Sequence, residues 1–153
     1  HELRTQIISP MTDELKTDKE EDADELFQQH IEAQCKRLRI LGFTGTPIIR
    51  GNLNAMDKSL LPSLQTVCTE ILNNIAKHGK PGAFAFILSV GPDAVRIFAS
   101  NLYNAAINSA PENHYGTALI QDFAQQHNGT MTINSENEEW SLSLAIPLTH
   151  QTH

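Results

Sequence analysis

Apolar residues recur at helical spacing in three stretches of this chain and at strand spacing in five others. From Ala23 to Ile40, Leu26, Phe27, Ile31, Cys35 and Leu38 return every three or four positions, and Gly42 follows as a stop. Phe43 to Arg50, centred on Ile48 and Ile49, reads as a strand. From Leu61 to His78, Leu64, Val67, Cys68, Ile71 and Ile75 form one apolar stripe. Pro62 is accepted in that helix's first turn, and Gly79 is a natural C-cap. Ala83–Val90 and Ala94–Ser100 are strand-like, with Gly91-Pro92-Asp93 as the turn between them. Asn101 to Tyr115 has no periodicity and reads as a loop. A helix opening at Gly116 puts Leu119, Ile120, Phe123, Ala124 and His127 on one face and ends at Gly129. Met131–Asn134 and Trp140–Ile146 then form a hairpin around Ser135-Glu136-Asn137-Glu138. In its second strand Trp140, Leu142, Leu144 and Ile146 alternate with Ser141, Ser143 and Ala145, the pattern of a strand buried on one side. Helices on one face of a mixed sheet make an α+β two-layer sandwich.

Charge refines the picture at the N-terminal end. The 153 residues carry a net charge of −7. Between Met11 and Glu25 stand Asp13, Glu14, Asp18, Glu20, Glu21, Asp22, Asp24 and Glu25 against Lys16 and Lys19 alone, so almost all of the excess is local. That segment reads as a flexible, solvated linker. The boundary follows: 1–22 as the end of an upstream helix plus acidic linker, 23–153 as the folded domain. No basic patch suited to nucleic acid stands out. Lys36, Arg37 and Arg39 complement the dipole at a helix end. No run approaches the ~20 apolar residues that cross a bilayer, and no signal-peptide pattern opens the sequence. Cys35 and Cys68 sit in apolar-patterned helices and read as buried thiols of a reducing compartment, with a bridge left open. The expected location is cytoplasmic, as a free chain or as the cytoplasmic part of a membrane-bound protein.

The candidate chemistry lies beside the apolar stripe of the central helix. At ~100° per residue, Glu70, Asn74, Lys77 and His78 share one narrow stripe. Asn is a poor mid-helix residue because its side chain competes for the backbone, so Asn73-Asn74 calls for a reason. A metal–phosphate complex supplies one: a carboxylate and an amide oxygen suit Mg²⁺, while Lys and His suit phosphate oxygens. The same pattern also describes an amphipathic helix with a solvated polar edge. No His, Cys or Asp spacing reads as zinc, and His114 and His127 have no partner pattern.

The segment Thr69-Glu70-Ile71-Leu72-Asn73-Asn74-Ile75-Ala76-Lys77-His78-Gly79 resembles the N-box of sensor histidine kinases. Downstream, Gly116-Thr117-Ala118-Leu119-Ile120-Gln121-Asp122-Phe123-Ala124-Gln125-Gln126-His127-Asn128-Gly129-Thr130-Met131-Thr132-Ile133 resembles that family's glycine-led helix, Gly turn and following strand. The resemblance spans about Leu60 to Leu148, more loosely from Asp24. It implies the ATP-binding sandwich shared by DNA gyrase, the ninety-kilodalton heat-shock chaperone, histidine kinases and mismatch-repair ATPases.

It also implies roles. Glu70 would be the acid/base or polarising carboxylate, Asn74 the Mg²⁺ ligand, and Lys77 and His78 phosphate contacts. Gly116, with Thr117 behind it, would open a helix whose free N–H groups suit an anion. Asn101 takes the position where most members have an Asp that binds adenine, and no glycine run follows it. An amide there would bind about 1 kcal/mol less tightly than a carboxylate; the alternative for Asn101 is a plain turn residue. Tyr103 and Tyr115 would flank the nucleotide or anchor the loop, and 101–116 would be the lid.

The implied cofactors are ATP and Mg²⁺. The implied partners are upstream dimerising, phospho-acceptor helices, a response regulator, and a second subunit in the full-length protein. His1-Glu2-Leu3-Arg4-Thr5 resembles an acceptor box. The roughly 70 positions before Glu70 are too few for a complete acceptor hairpin, and Pro10 interrupts a helix from His1. His1–Met11 therefore reads as the end of the second hairpin helix or as added residues, with the acceptor upstream. Two other readings share the fold: an anti-sigma-type serine kinase, and a degenerate docking domain that has lost ATP.

Overall fold

The computed structural model describes residues 12–103 and 117–148, with side chains described from residue 23 of the first helix. The acceptor-like segment 1–11, and loop residues 104–116 with His114, Tyr115 and Gly116, lie outside the described residues. Three helices cover one face of a five-stranded sheet. Helix α1 spans Thr12–Ile40, strand β1 Pro47–Gly51, helix α2 Leu60–His78, strand β2 Gly79–Val90 and strand β3 Ala94–Tyr103. Helix α3 spans Thr117–Gln126, strand β4 Thr130–Glu136 and strand β5 Glu139–Pro147. The sheet order is β1-β2-β3-β5-β4. β1 runs parallel to β2 and every other pair is antiparallel, so the sheet is mixed. This is the α+β two-layer sandwich that the periodicity predicts.

The acidic stretch is not a linker in local structure: α1 runs unbroken from Thr12 through it. Residues 12–26 hold four Glu and four Asp with two each of Lys, Leu and Thr, and the Glu, Lys and Leu among them favour the helix. The buried stripe begins only at Phe27 and continues through Ile31, Cys35 and Leu38. The helix closes with a Schellman arrangement, Phe43 N–H to Leu38 O (2.9 Å) and Gly42 N–H to Arg39 O (3.1 Å), with Gly42 at φ 103°.

Helix α2 buries Leu60, Leu64, Val67, Cys68, Ile71, Leu72 and Ile75 against the sheet. The opposing face supplies Phe86, Leu88, Ile97, Ala99, Leu142 and Leu144. Side chains on the other face of the same strands, including Arg96, Phe98 and Ser143, stay exposed. Both cysteines are buried free thiols. His30 Nε2 and Thr69 Oγ1 share a 2.7 Å hydrogen bond that ties α1 to α2. Arg39 reaches Gly45 O at 2.8 Å and Glu32 at 2.6 Å, pinning the entry to β1.

Several boundaries differ from the sequence expectations for physical reasons. β1 begins at Pro47, with Thr44 making only an isolated bridge to Ala83. β2 starts at Gly79, directly from α2, and a register shift between Gly79 and Phe84 absorbs Lys80-Pro81. β3 continues to Tyr103, because Asn101 and Leu102 pair with Trp140 and Glu139. Leu119 is exposed, and α3 turns only Ile120, Phe123 and Ala124 inward. The left-handed residue ending α3 is Asn128 (φ 59°), not Gly129. Gly129 is needed for a different reason: a β-carbon there would overlap Ala145 O on β5. The β4–β5 turn is Asn137-Glu138, both at positive φ, as a two-residue hairpin of right-handed strands requires.

Candidate functional site

The polar stripe of α2 is real, and it is graded in depth. Lys77 is exposed, Glu70 and His78 are half-buried, and Asn74 is 5% exposed. Neither Oδ1 nor Nδ2 of Asn74 has a hydrogen-bond partner among the described residues. Leaving a buried amide unsatisfied costs about 1–3 kcal/mol, so such groups are rare and call for an explanation. A ligand that takes the amide oxygen is one. Lys77 and His78 lie one turn further on, in the last turn of α2. The Lys77 charge also complements the negative end of the helix.

Asn101 is not a turn residue. It lies within β3, faces the helix layer and is 4% exposed. Its Nδ2 donates to Leu102 O at 2.6 Å. The sequence placed Gly79 as a helix cap, and its N–H does donate to Ile75 O, but its backbone is extended (φ −80°). What demands glycine is proximity, because a β-carbon at Gly79 would overlap both Asn101 Nδ2 and the Ile75 carbonyl oxygen and press on Phe43. The end of the α2 stripe and the buried amide of β3 are thus held in direct apposition. Sequence reading missed that contact. Its signal was a glycine with no turn to make.

Thr117 is the first residue of α3 and half-buried. Gly116, its neighbour, falls outside the described residues. Tyr103 is no loop anchor: it is a buried strand residue paired with Gly79, and its N–H donates to Glu138 O at 2.9 Å. Lys80 and Glu138 form an exposed ion pair of 3.6 Å at the same end of the sheet. His127 packs its ring against Phe123 in a tilted arrangement, centroids 4.7 Å apart and planes at 50°, which fits a helix-end role. Among the described residues no cluster of three or more His, Cys, Asp or Glu could hold a metal, so any cation here would depend on an amide and on ligand oxygens. Burial pushes the Cys35 thiol up to about 11 and raises Cys68 further still.

No protein-family model and no curated protein sequence matches the chain. Solved structures do. The nucleotide-free catalytic domain of histidine kinase ThkA superposes with a TM-score of 0.57 at 13% identity, covering 82% of this chain and 91% of that one. The Acinetobacter baumannii histidine kinase AdeS gives 0.59 at 10% identity, over 85% of this chain and 65% of that one. The Erythrobacter litoralis blue-light activated histidine kinase EL346 gives 0.55 at 10% identity, over 76% and 40%. This is the fold of a histidine kinase catalytic domain. In that histidine-kinase fold the N-box-like helix is α2, and the segment from Thr117 onward supplies α3 and β4. Among the described residues no helix is long and apolar enough to cross a membrane.

Proposed function

We propose that this chain is the ATP-binding catalytic domain of a sensor histidine kinase, acting with Mg²⁺ in the cytoplasm. The observation that carries the reading is Asn74. A mid-helix asparagine, buried with both amide atoms lacking partners among the described residues, costs stability unless a ligand completes it. Its amide oxygen is the right donor for a hard cation, so the residue fits Mg²⁺. When bound, the metal would supply neutralisation of phosphate charge.

The chain's own residues would do the rest. Asn74 orients the metal–phosphate end of the nucleotide. Lys77 and His78, in the last turn of α2, supply donors to phosphate oxygens, and Lys77 adds positive charge. Gly116 and Thr117, by the resemblance, would lead an anion to the first N–H groups of the helix that opens at Thr117. Asn101 receives the adenine side, with Gly79 leaving room for its amide. Glu70 polarises the acceptor imidazole, and the γ-phosphoryl passes to a histidine on upstream dimerising helices, then to a response regulator. Positioning and charge neutralisation carry most of such a transfer. The 153-residue chain alone would bind nucleotide without phosphorylating itself.

A docking-only reading draws on Asn101, a neutral amide whose Nδ2 is already engaged by Leu102 O. Asn74 argues against it, since a module without a ligand gains nothing from a buried unsatisfied amide. The deciding experiment is calorimetric titration of ATP with and without Mg²⁺. Metal-dependent binding supports the kinase reading; no binding in either condition overturns it.

A further inference from the structure

The sheet face opposite the helices carries two parallel rows of outward side chains. Arg50, Ser89 and Arg96 are consecutive register partners on β1, β2 and β3. Neither arginine has a hydrogen-bond or ion-pair partner among the described residues. One step along the strands, Ile48, Ile87 and Phe98 form a second row across the same three strands. Ile48 is 47% and Phe98 39% exposed, and a groove of about 440 Å³ runs over Arg50, Ile87, Ser89, Arg96 and Phe98. A cationic row beside an apolar row is an amphipathic surface without a partner.

The complementary surface is in the same sequence. The stretch 12–26 of α1 extends about 22 Å beyond the first core residue, at 1.5 Å per residue. By sequence, Glu14, Asp18, Glu21 and Glu25 recur at the i, i+4, i+7, i+11 spacing of one helical stripe, with Leu15 and Leu26 on an adjoining one. Lys16 and Lys19 fall off the acidic stripe. At the described end of this arm Leu26 is 60% exposed and Glu25 is exposed. Glu14 and Glu21 are spaced by about 10.5 Å along the axis. Arg50 and Arg96, two strands apart, are spaced by about 9.5 Å. α1 packs on the helix side of its own sheet, so its arm meets this face only on another molecule.

We propose that the open sheet face is an interface for a second copy of this chain, occupied by that copy's acidic arm. The acidic segment runs along the Arg50–Arg96 row of the other copy, with its apolar end at Leu26 beside Ile87 and Phe98. The contact is separate from dimerisation through helices upstream. Charge complementarity of this kind makes association salt-sensitive.

The test is sedimentation of the 153-residue chain over a concentration series at low and high salt. Self-association that weakens with salt is expected. R50E/R96E should weaken it at least about tenfold, and combining that variant with E14K/D18K/E21K should restore it. Phe98→Ser, an exposed change that leaves the core intact, should also weaken it. A chain that stays monomeric at all concentrations overturns the proposal. So does self-association indifferent to R50E/R96E, or a charge-swapped pair that fails to recover.

Discussion

Gly79 ends the polar-striped helix directly against the Asn101 side chain, so closely that any β-carbon at 79 would overlap the Asn101 amide nitrogen. The relationship links the two halves of the candidate site through a single missing methyl group. Gly79→Ala should cost about 1–3 kcal/mol, as overpacking in close-packed regions does. It should also turn Asn101 and weaken nucleotide binding more than it weakens the fold. Thermal melting and ATP titration of the variant would check both. A wild-type melting temperature with wild-type affinity would show that the apposition is loose.

Asn74 should trade stability for binding. Asn74→Leu removes two buried unsatisfied polar atoms and adds apolar volume of similar size. Stability should hold or rise by about 1 kcal/mol in denaturant unfolding. Asn74→Ala should abolish the Mg²⁺ dependence of nucleotide binding while leaving the fold nearly as stable. Calorimetry showing unchanged metal dependence would remove Asn74 from the metal site.

Glu70→Gln keeps the shape of the side chain and removes its charge. ATP binding should stay near wild type. Phosphoryl transfer should fall by about 10²-fold or more in a protein that includes the acceptor helices. The chain of 153 residues should take up no label from γ-labelled ATP. Label on His1 would move the acceptor into this chain, and full transfer by the glutamine variant would reduce Glu70 to a surface residue.

The buried thiols set an alkaline limit. Cys35 holds its proton to about 11 against an ordinary 9.0, and Cys68 holds its own longer, because burial disfavours the thiolate. Above about pH 9 the unfolded chain releases these protons and the folded chain keeps them. Their contribution is therefore complete below pH 9 and lost as pH rises through the folded values. The slope should approach ~1.4 kcal/mol per pH unit for each thiol. Urea unfolding between pH 8 and pH 10.5 should show the decline, and a Cys35→Ala/Cys68→Ala variant should flatten it. In the native state at pH 8 both thiols should resist a disulfide reagent and react on unfolding. Rapid native-state reaction would contradict their burial.

The sequence by itself determined the layers. Periodicity of 3.6 in Leu64, Val67, Cys68, Ile71 and Ile75, and of 2 in Trp140, Leu142, Leu144 and Ile146, marks the side of each element that is buried, because spacing sets the direction of side chains along a helix or strand. It also put Glu70, Asn74, Lys77 and His78 on one stripe. Contact and depth were decided by the tertiary structure. Nothing in the local sequence says that β3 runs on through Asn101; pairing with Trp140 does that. Nothing local makes Gly129 a packing glycine in place of a turn glycine; Ala145, brought up by another strand, does, and at Gly79 the distant Asn101 adds to the nearby Ile75 carbonyl. The acids of 12–25 looked like a linker because charge far outweighs apolar residues there, yet α1 runs on through them. Asn74 became informative only when its burial was known: an exposed amide is satisfied by water, and a buried one without a partner is not.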